Sequence, residues 1–586
     1  MKNRRKSALA SSIGALLLSG TASGAWAQSA TTPQDINRAA PPPRDGSNRV
    51  NTVGQGTISL CPFASSTIPV TINRVEIDGS SVLTQQSIDK SYGAIRGQPT
   101  TLGAVCDIRE RLIVEYRRLG FPLTRVELPE QRIGAEGVIR FHAVEAGLSS
   151  VRVADNGKVA SFTNIVEAYA ERLRDSAVGK PLKWSKVERF ALLMRDTPGV
   201  VARLELRPGA TETSAQSAAA ADATAPLATP PAVTPGTLAP LDLFVTVEPP
   251  ERFGGFIGLQ RNSADVFGRY AGVVGGQMRG VMPWGGDELS GVLYSTQTGR
   301  QAVGSISYEW RHGSGLLLKG VAAYAETKPG RSFAPLDLKG QSTSFTLSAA
   351  YPFILRSAFQ VEGVAGLDYV DQDNFIFEDQ TISNDKVRVA SLKMNTLWRD
   401  VQNRRARASF DVEYRQGLDS FDATQPGDPL LSRIGANPQA SVWRVRGEAE
   451  MRIRRNLPGV SVAADAQLAD DVLVSFEQYQ VGNLTFGRGI DPGTVTGDRG
   501  YGARVELLGG RYAPRGHDQF QAEPYAFFDA AHVESLATAA IVPKQDLTSY
   551  GGGVRLRYSD RFSLDVGGAK AEDRPPQFLM NLAYQF

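Results

Sequence analysis

From Arg252 to the last residue the sequence alternates apolar and polar positions, and this pattern restricts the fold more than any other feature of the chain. Ile306, Tyr308 and Trp310 interleave with Ser305, Ser307, Glu309 and Arg311. Ala406, Ala408, Phe410, Val412 and Tyr414 interleave with Arg407, Ser409, Asp411, Glu413 and Arg415. Trp443, Val445, Gly447, Ala449, Met451 and Ile453 do the same with Arg444, Arg446, Glu448, Glu450, Arg452 and Arg454. A period of two belongs to strands, whose side chains point to opposite faces in turn. A soluble sandwich also alternates, with its polar face in water. Here the strands are long, turns such as Pro283-Trp284-Gly285-Gly286-Asp287 are tight, and the polar face mixes both signs of charge. Phe578, Met580, Leu582, Tyr584 and Phe586 are all apolar, and the chain ends on Phe586. An apolar face with terminal aromatics opposite a charged face is the pattern of a transmembrane β-barrel. The 335 residues from Arg252 to Phe586, at about 9–11 residues per strand plus turns and longer loops, accommodate about sixteen antiparallel strands.

Averages conceal this. The whole chain is 42% hydrophobic and 21% charged, with a mean hydropathy of −0.21, which would suit a soluble protein. The N-terminus adds a second correction. Lys2, Arg4, Arg5 and Lys6 precede the apolar run Ala8 to Leu18, and Ala25-Trp26-Ala27 offers a cleavage site, so 1–27 reads as a secretory signal peptide. Its removal takes away four cations and no anion, moving the formal charge from +3 to −1. Neither value gives a nucleic-acid-binding footprint. No later stretch reaches the ~20 apolar residues of a transmembrane helix. The exported protein is therefore periplasmic, extracellular or an outer-membrane barrel.

Between signal and barrel the texture is mixed. Residues 28–66 are rich in Pro, Ser, Thr, Asn and Gly, which is linker chemistry; Thr32-Pro33-Gln34-Asp35 could cap only a short helix. Residues 67–147 read as strand, helix, helix, strand, strand: Val70 to Ile77, then Ile108, Leu112, Tyr116 and Leu119 at helical spacing closed by Gly120, then Thr124 to Leu128 and Val138 to Val144. The order recurs over 148–250, with helices near Ile165–Leu173 and Ser185–Met194 and strands Arg203–Leu206 and Leu241–Val247. An Ala/Thr/Pro run, 211–240, reads as an insertion in a hairpin of this second unit. Two small α+β units are the simplest account. Cys61 and Cys106 are either bridged or two inert thiols. An oxidising compartment favours the bridge.

The residues of these units resemble a known family, the outer-membrane transporters of two-partner secretion (the TpsB class, haemolysin secretion/activation proteins). The small units resemble polypeptide-transport-associated (POTRA) domains. In the first, Gly120-Phe121, Thr124-Arg125-Val126, Leu128-Pro129-Glu130-Gln131, Gly137 and Val144-Glu145 carry the resemblance. In the second, Gly179-Lys180-Pro181-Leu182, Pro198-Gly199-Val200 and Pro208-Gly209 do so. Cys61 and Cys106 fall where relatives often carry a cysteine pair. In the barrel, Gly487-Arg488-Gly489-Ile490 resembles the tip of the family's long inward-folding loop, expected near 485–503 and followed by Gly497-Asp498-Arg499-Gly500-Tyr501 and Glu506. Phe527-Phe528-Asp529 resembles the partner strand's motif, with Ala531 where glycine is usual.

The resemblance implies a periplasmic pair of POTRA domains followed by a barrel that exports, and in some relatives activates, a large unfolded partner with an N-terminal secretion domain. It implies that Arg488 and Gly489 form a loop tip bonded through Arg488 to Asp529, beside Phe527, with Asp498, Arg499 and Gly500 supporting the loop. Bidentate arginine–carboxylate bonds are geometrically specific enough to hold such a loop. The partner would bind by adding a strand to a sheet edge, for which Thr124, Val126 and Leu128 are candidates. The N-terminal segment could plug the pore. Tyr584 and Phe586 would serve as the C-terminal signal read by the barrel-assembly machinery, and the outer face would meet outer-membrane lipid. An assembly factor for other barrels is the alternative reading, and a diffusion porin or adhesin a third. His142, His312, His517 and His532 show no ligand spacing, and no nucleophile elbow, P-loop or zinc-protease motif occurs, so neither enzyme chemistry nor a cofactor or metal is expected.

Overall fold

The computed structural model describes residues 50–51, 61, 63–155, 160–209, 236–249, 251–261, 263–377, 380–454, 456–482, 486–514, 519–538, 543–559 and 561–586. The signal peptide, most of the 28–66 linker and 211–235 of the insertion lie outside them. The chain divides into two compact units, one holding Gly46–Pro250, the other Glu251–Val281 and Asp287–Phe586.

The first unit contains the two α+β modules. In the first, helix Gly103–Leu119 buries Val105, Ile108, Leu112 and Tyr116 on one face against a sheet whose strand order is Arg74–Asp78, Val138–Val144, Arg125–Glu127. Full burial of Ile108 and Leu112 contributes about 1.5–3 kcal/mol each. Cys61 is disulfide-bonded to Cys106 on this helix, with a Cα–Cα distance of 5.9 Å. Pro129 lacks an N–H and cannot extend the edge strand. Gln131 takes over: its side-chain amide accepts from Arg140 N at 2.8 Å and donates to Arg140 O at 2.7 Å, continuing the ladder where backbone pairing has stopped. Glu145 is buried, accepting from the backbone N–H groups of Ser81 and Val82 and from the hydroxyls of Ser81 and Tyr116. Burial pushes the Tyr116 phenol up; the Ser80 hydrogen bond opposes this and the Glu145 carboxylate adds to it.

A pH dependence follows from the surface of the same helix. Hydrogen bonds from Arg118, at 2.7 Å, hold the Glu115 carboxyl at about 2, with help from Ser87. A folded-state value below the unfolded one stabilises above the unfolded pKa and is lost as pH falls. Hydrogen-exchange protection of Gly103–Leu119 should therefore exceed that of Glu115→Gln near neutrality, and the difference should shrink from about pH 4.5 towards 2. A difference independent of pH would refute the assignment.

In the second module the strand order is Val50–Asn51, Val201–Pro208, Ala239–Glu248, Ala146–Asp155. Val201–Pro208 and Ala239–Glu248 form an antiparallel hairpin, and the insertion is the segment between them. Helices Ala160–Ala177 and Trp184–Arg195 cover the sheet through Phe162, Ile165, Val166, Val187 and Phe190. The outer edge of Val201–Pro208 is occupied in part by Val50–Asn51, which runs parallel to Leu204 and Glu205. The linker thus supplies a strand where its composition predicts none, because an unpaired sheet edge offers backbone partners to any extended segment.

The second unit is a closed barrel of sixteen antiparallel strands, in which the first, Phe253–Arg261, pairs with the last, Gln577–Gln585. Alternation sorts residues as expected on the outer face. Leu293 is 63% exposed beside Tyr294 at 7%. Ile306, Phe345, Leu392, Trp443 and Phe578 are likewise exposed. So much outward apolar surface is unfavourable in water and suits lipid. The inner face departs from a uniformly charged lining. Strands from Phe359–Ile376 to Phe520–Glu534 project Asp368, Arg415, Arg444, Glu450, Arg504 and Glu506 inward. Opposite them, Phe256, Ala271, Val273, Tyr294, Val303 and Ala325 form an apolar cluster on the same inner face. One strand's alternation gives the polarity of its own faces. Only ring closure shows that the apolar inward positions are collected on one wall.

A loop locked inside the barrel

Eight connections leave the barrel at the rim opposite the one where the chain enters, and two are long: 418–440 and 470–498. The second folds into the lumen. Its descending limb is fixed by Glu477, whose carboxylate is paired with Arg415 at 2.7 Å and Arg444 at 2.9 Å, both on wall strands. Tyr479 donates to Asp465 at 2.6 Å. Short strands Tyr479–Val481 and Val495–Gly497 pair to stiffen the loop. Below them Val481, Phe486, Ile490 and Val495 pack against Ala531 and Val533 of the wall. Ile490 is fully buried.

The tip sits on Asp529, which is 0% exposed. One Asp529 carboxylate oxygen, Oδ2, accepts the backbone N–H groups of Gly487 at 3.2 Å and Arg488 at 3.1 Å, and the Ser549 hydroxyl at 3.3 Å. The expected side-chain bond from Arg488 to Asp529 is not what forms. The guanidinium pairs instead with Glu506 at 2.7 Å and lies 4.1 Å from the centre of the Phe527 ring. Register explains the displacement. Arg504 stands opposite Asp529, and Glu506 opposite Phe527 two residues further along. The tip amides occupy Asp529, so the longer side chain reaches the next inward positions, where a carboxylate and an aromatic face adjoin. Glu506 also binds Arg555 at 2.6 Å, giving Arg488–Glu506–Arg555. Glu506 follows the loop in sequence, and its spacing of two from Arg504 makes it inward-facing.

Other predicted residues fall as follows. A side chain at Gly489 would bring Cβ within 2.5 Å of Ala571 N, so the tip abuts the backbone of a second wall strand. At Gly500 a Cβ would lie 2.2 Å from the Tyr479 ring. Asp498 is buried and accepts both Arg433 nitrogens, whereas Arg499 binds Asp470 at 2.8 Å. Past the tip, Asp491 accepts from Arg269 at 3.2 Å and Gln577 at 2.8 Å, tying the loop to the connection after the first barrel strand and to the start of the last. Tyr584 and Phe586 point outward, their ring centres 6.4 Å apart, and Phe586 N–H bonds Gly255 O at 2.9 Å. Thr124 and Val126 are buried and Leu128 packs on the first module's core. Alternation turns these three side chains into the module, so strand addition at this edge would use backbone groups rather than these side chains.

Comparison with known proteins agrees with this architecture. Residues 292–556 match the model of the haemolysin secretion/activation protein family ShlB/FhaC/HecB, and residues 70–146 match the POTRA domain, ShlB-type. The chain is 19% identical over 489 residues to the heme/hemopexin transporter protein HuxB of Haemophilus influenzae, spanning 81% of this chain and 79% of that one. It is similar in structure to CdiB from Escherichia coli (TM-score 0.68, 14% identity, 94% of this chain and 95% of that chain). CdiB from Acinetobacter baumannii gives a TM-score of 0.61 at 15% identity, covering 92% and 95%. A sixteen-stranded barrel, a loop locked on its inner wall and an ShlB-type POTRA domain at 70–146 coincide in one chain, which is an outer-membrane transporter of the two-partner secretion type that moves a partner protein across that membrane.

Proposed function

We propose that this chain exports one large unfolded polypeptide through its own lumen, its POTRA modules capturing the partner's N-terminal secretion region by strand addition. The observation that carries the capture step is the outer edge of Val201–Pro208: eight residues long, it already accepts Val50–Asn51 in parallel at Leu204 and Glu205, its only pairings on that side among the described residues. An edge that takes an extended segment of its own chain can take one from a partner, with main-chain bonds supplying affinity. It is a better edge than Arg125–Glu127, which has only three residues. The emerging chain would then pass the tip loop, which in the resting state is held by Asp529 and Glu506. Outer-membrane lipid would contact the exposed apolar face, and the barrel-assembly machinery would read Tyr584 and Phe586 during insertion.

Cells lacking the chain should retain one large exported protein in the periplasm, with the level of other outer-membrane barrels unchanged. A general loss of barrels with secretion intact would favour an assembly factor. Within the pore, Gly489→Ala should displace the tip, because the new Cβ meets backbone that cannot yield cheaply. The purified protein in planar bilayers should then show altered conductance while the barrel keeps its heat-modifiable mobility. Unchanged conductance would mean that the tip does not set the constriction.

A further inference from the structure

At the outer rim three loops converge on one buried ion pair. Asp498 is 0% exposed and Arg433 is 8% exposed. Arg433 binds both Asp498 oxygens, one at 3.1 Å, and also donates to Leu473 O at 2.6 Å and Ser535 Oγ at 3.0 Å. Asp498 in turn accepts the backbone N–H groups of Leu473 at 2.8 Å and Leu536 at 2.7 Å. Arg433 belongs to loop 418–440, Leu473 and Asp498 to the two limbs of loop 470–498, and Ser535 and Leu536 to loop 535–543. Loop 418–440 is also tied at its other side to the strand Gln380–Arg399, through Asn384 N–H to Leu430 O at 2.7 Å and Ser432 N–H to Asp385 at 2.9 Å. The bonded path therefore runs from Gln380–Arg399 to Phe520–Glu534, past four intervening barrel strands, as a chord over the mouth.

This arrangement is costly to build and specific in form. A loop of 23 residues without regular secondary structure is ordered by side-chain bonds, and loops of that length in compact proteins usually serve a function. A buried, fully hydrogen-bonded ion pair adds little net stability over apolar packing but fixes registry, and loses its geometry when either partner is removed. The pair lies at the rim, on residues separate from the Arg488, Glu506 and Asp529 contacts at the tip.

We infer that Arg433 and Asp498 form an outer clasp, a pair of positioning residues that keep loop 418–440 and residues 535–538 closed over the limbs 470–482 and 486–498 and that must part for the exported chain to leave. The inference rests on the reading of the barrel as a translocation pore. The Ser432 hydroxyl lies 3.1 Å from Ser475 N, so Ser432→Cys with Ser475→Cys places a thiol pair across the same junction. In the full-length protein, oxidised Ser432→Cys/Ser475→Cys should lose export and reduction should restore it, with barrel assembly equal in both states. Arg433→Ala and Asp498→Asn should each raise conductance in planar bilayers, and the double variant should add nothing to the larger single effect, as expected for partners in one interaction. Export by the oxidised protein at the rate of the reduced one, or wild-type conductance in Arg433→Ala, would overturn the clasp. Absence of partner export in the wild-type strain would instead overturn the translocation reading, and the conductance measurements would still report on the clasp.

Discussion

Arg488→Ala should abolish partner export while leaving a folded barrel in the outer membrane. The side chain's bond to Glu506 and its stacking on Phe527 are made in the lumen, away from the strand ladders that hold the barrel. Removing the guanidinium leaves Glu506 with Arg555 as its remaining cation, so the cost lies at or below the lower end of the about 3–5 kcal/mol of a fully orphaned buried charge. If that energy separates the docked tip from a displaced one, about 3 kcal/mol corresponds to roughly a hundredfold rise in the displaced population. The geometry also ranks the neighbouring substitutions. Asp529 Oδ1 has no hydrogen-bond partner among the described residues. Arg488 can therefore turn to Asp529 when Glu506 is lost, so Glu506→Ala should retain part of the export that Arg488→Ala loses. Glu506→Ala with Asp529→Ala should match Arg488→Ala. Equal defects in Glu506→Ala and Arg488→Ala would show that no such exchange occurs, and normal export in Arg488→Ala would remove the lock from the mechanism.

The second large effect concerns the Cys61–Cys106 bond. It closes a loop with a sequence separation of 45, which in the chain-entropy model stabilises by about 4 kcal/mol. A small module has a correspondingly small core, so this is a large share of its stability. Cys61→Ser with Cys106→Ser should lower protection of helix Gly103–Leu119 in hydrogen exchange and expose the first module to limited proteolysis. The barrel should be unaffected, because the cross-link joins the end of the linker to the first module and touches no barrel residue. Reduction of the wild-type protein should reproduce the result. Unchanged protection after either treatment would mean that the helix is held by its packing.

Some of these features could be read in the sequence because they are local. Two-residue alternation from Ile306 to Phe586 specifies strand and face together, since the side-chain period of a strand is fixed by its backbone. The helix carrying Val105, Ile108, Leu112 and Tyr116 shows its period in the same way. The signal Gly487-Arg488-Gly489 located the loop tip, and the register of inward positions could have nominated Glu506 two residues from Arg504. Which carboxylate takes the guanidinium depended on where the tip amides dock, a contact between residues some forty positions apart.

Arg433 illustrates the limit most clearly, lying in a segment of Gly, Pro, Asp and Ser with no period to interpret. Its partner Asp498 is 65 residues away, and nothing in either neighbourhood singles out the other. The same holds for the apolar inner wall and for Val50–Asn51 on a distant sheet edge. The sequence by itself determined the strands, their lipid and lumen faces, the two modules and the loop that bears the tip, because each is encoded in spacings of two to four residues. Closure of the barrel decided which inward residues share a wall, and folding of the loops decided which charges meet, because those pairings are selected by three-dimensional proximity and by the cost of burying an ion without a partner.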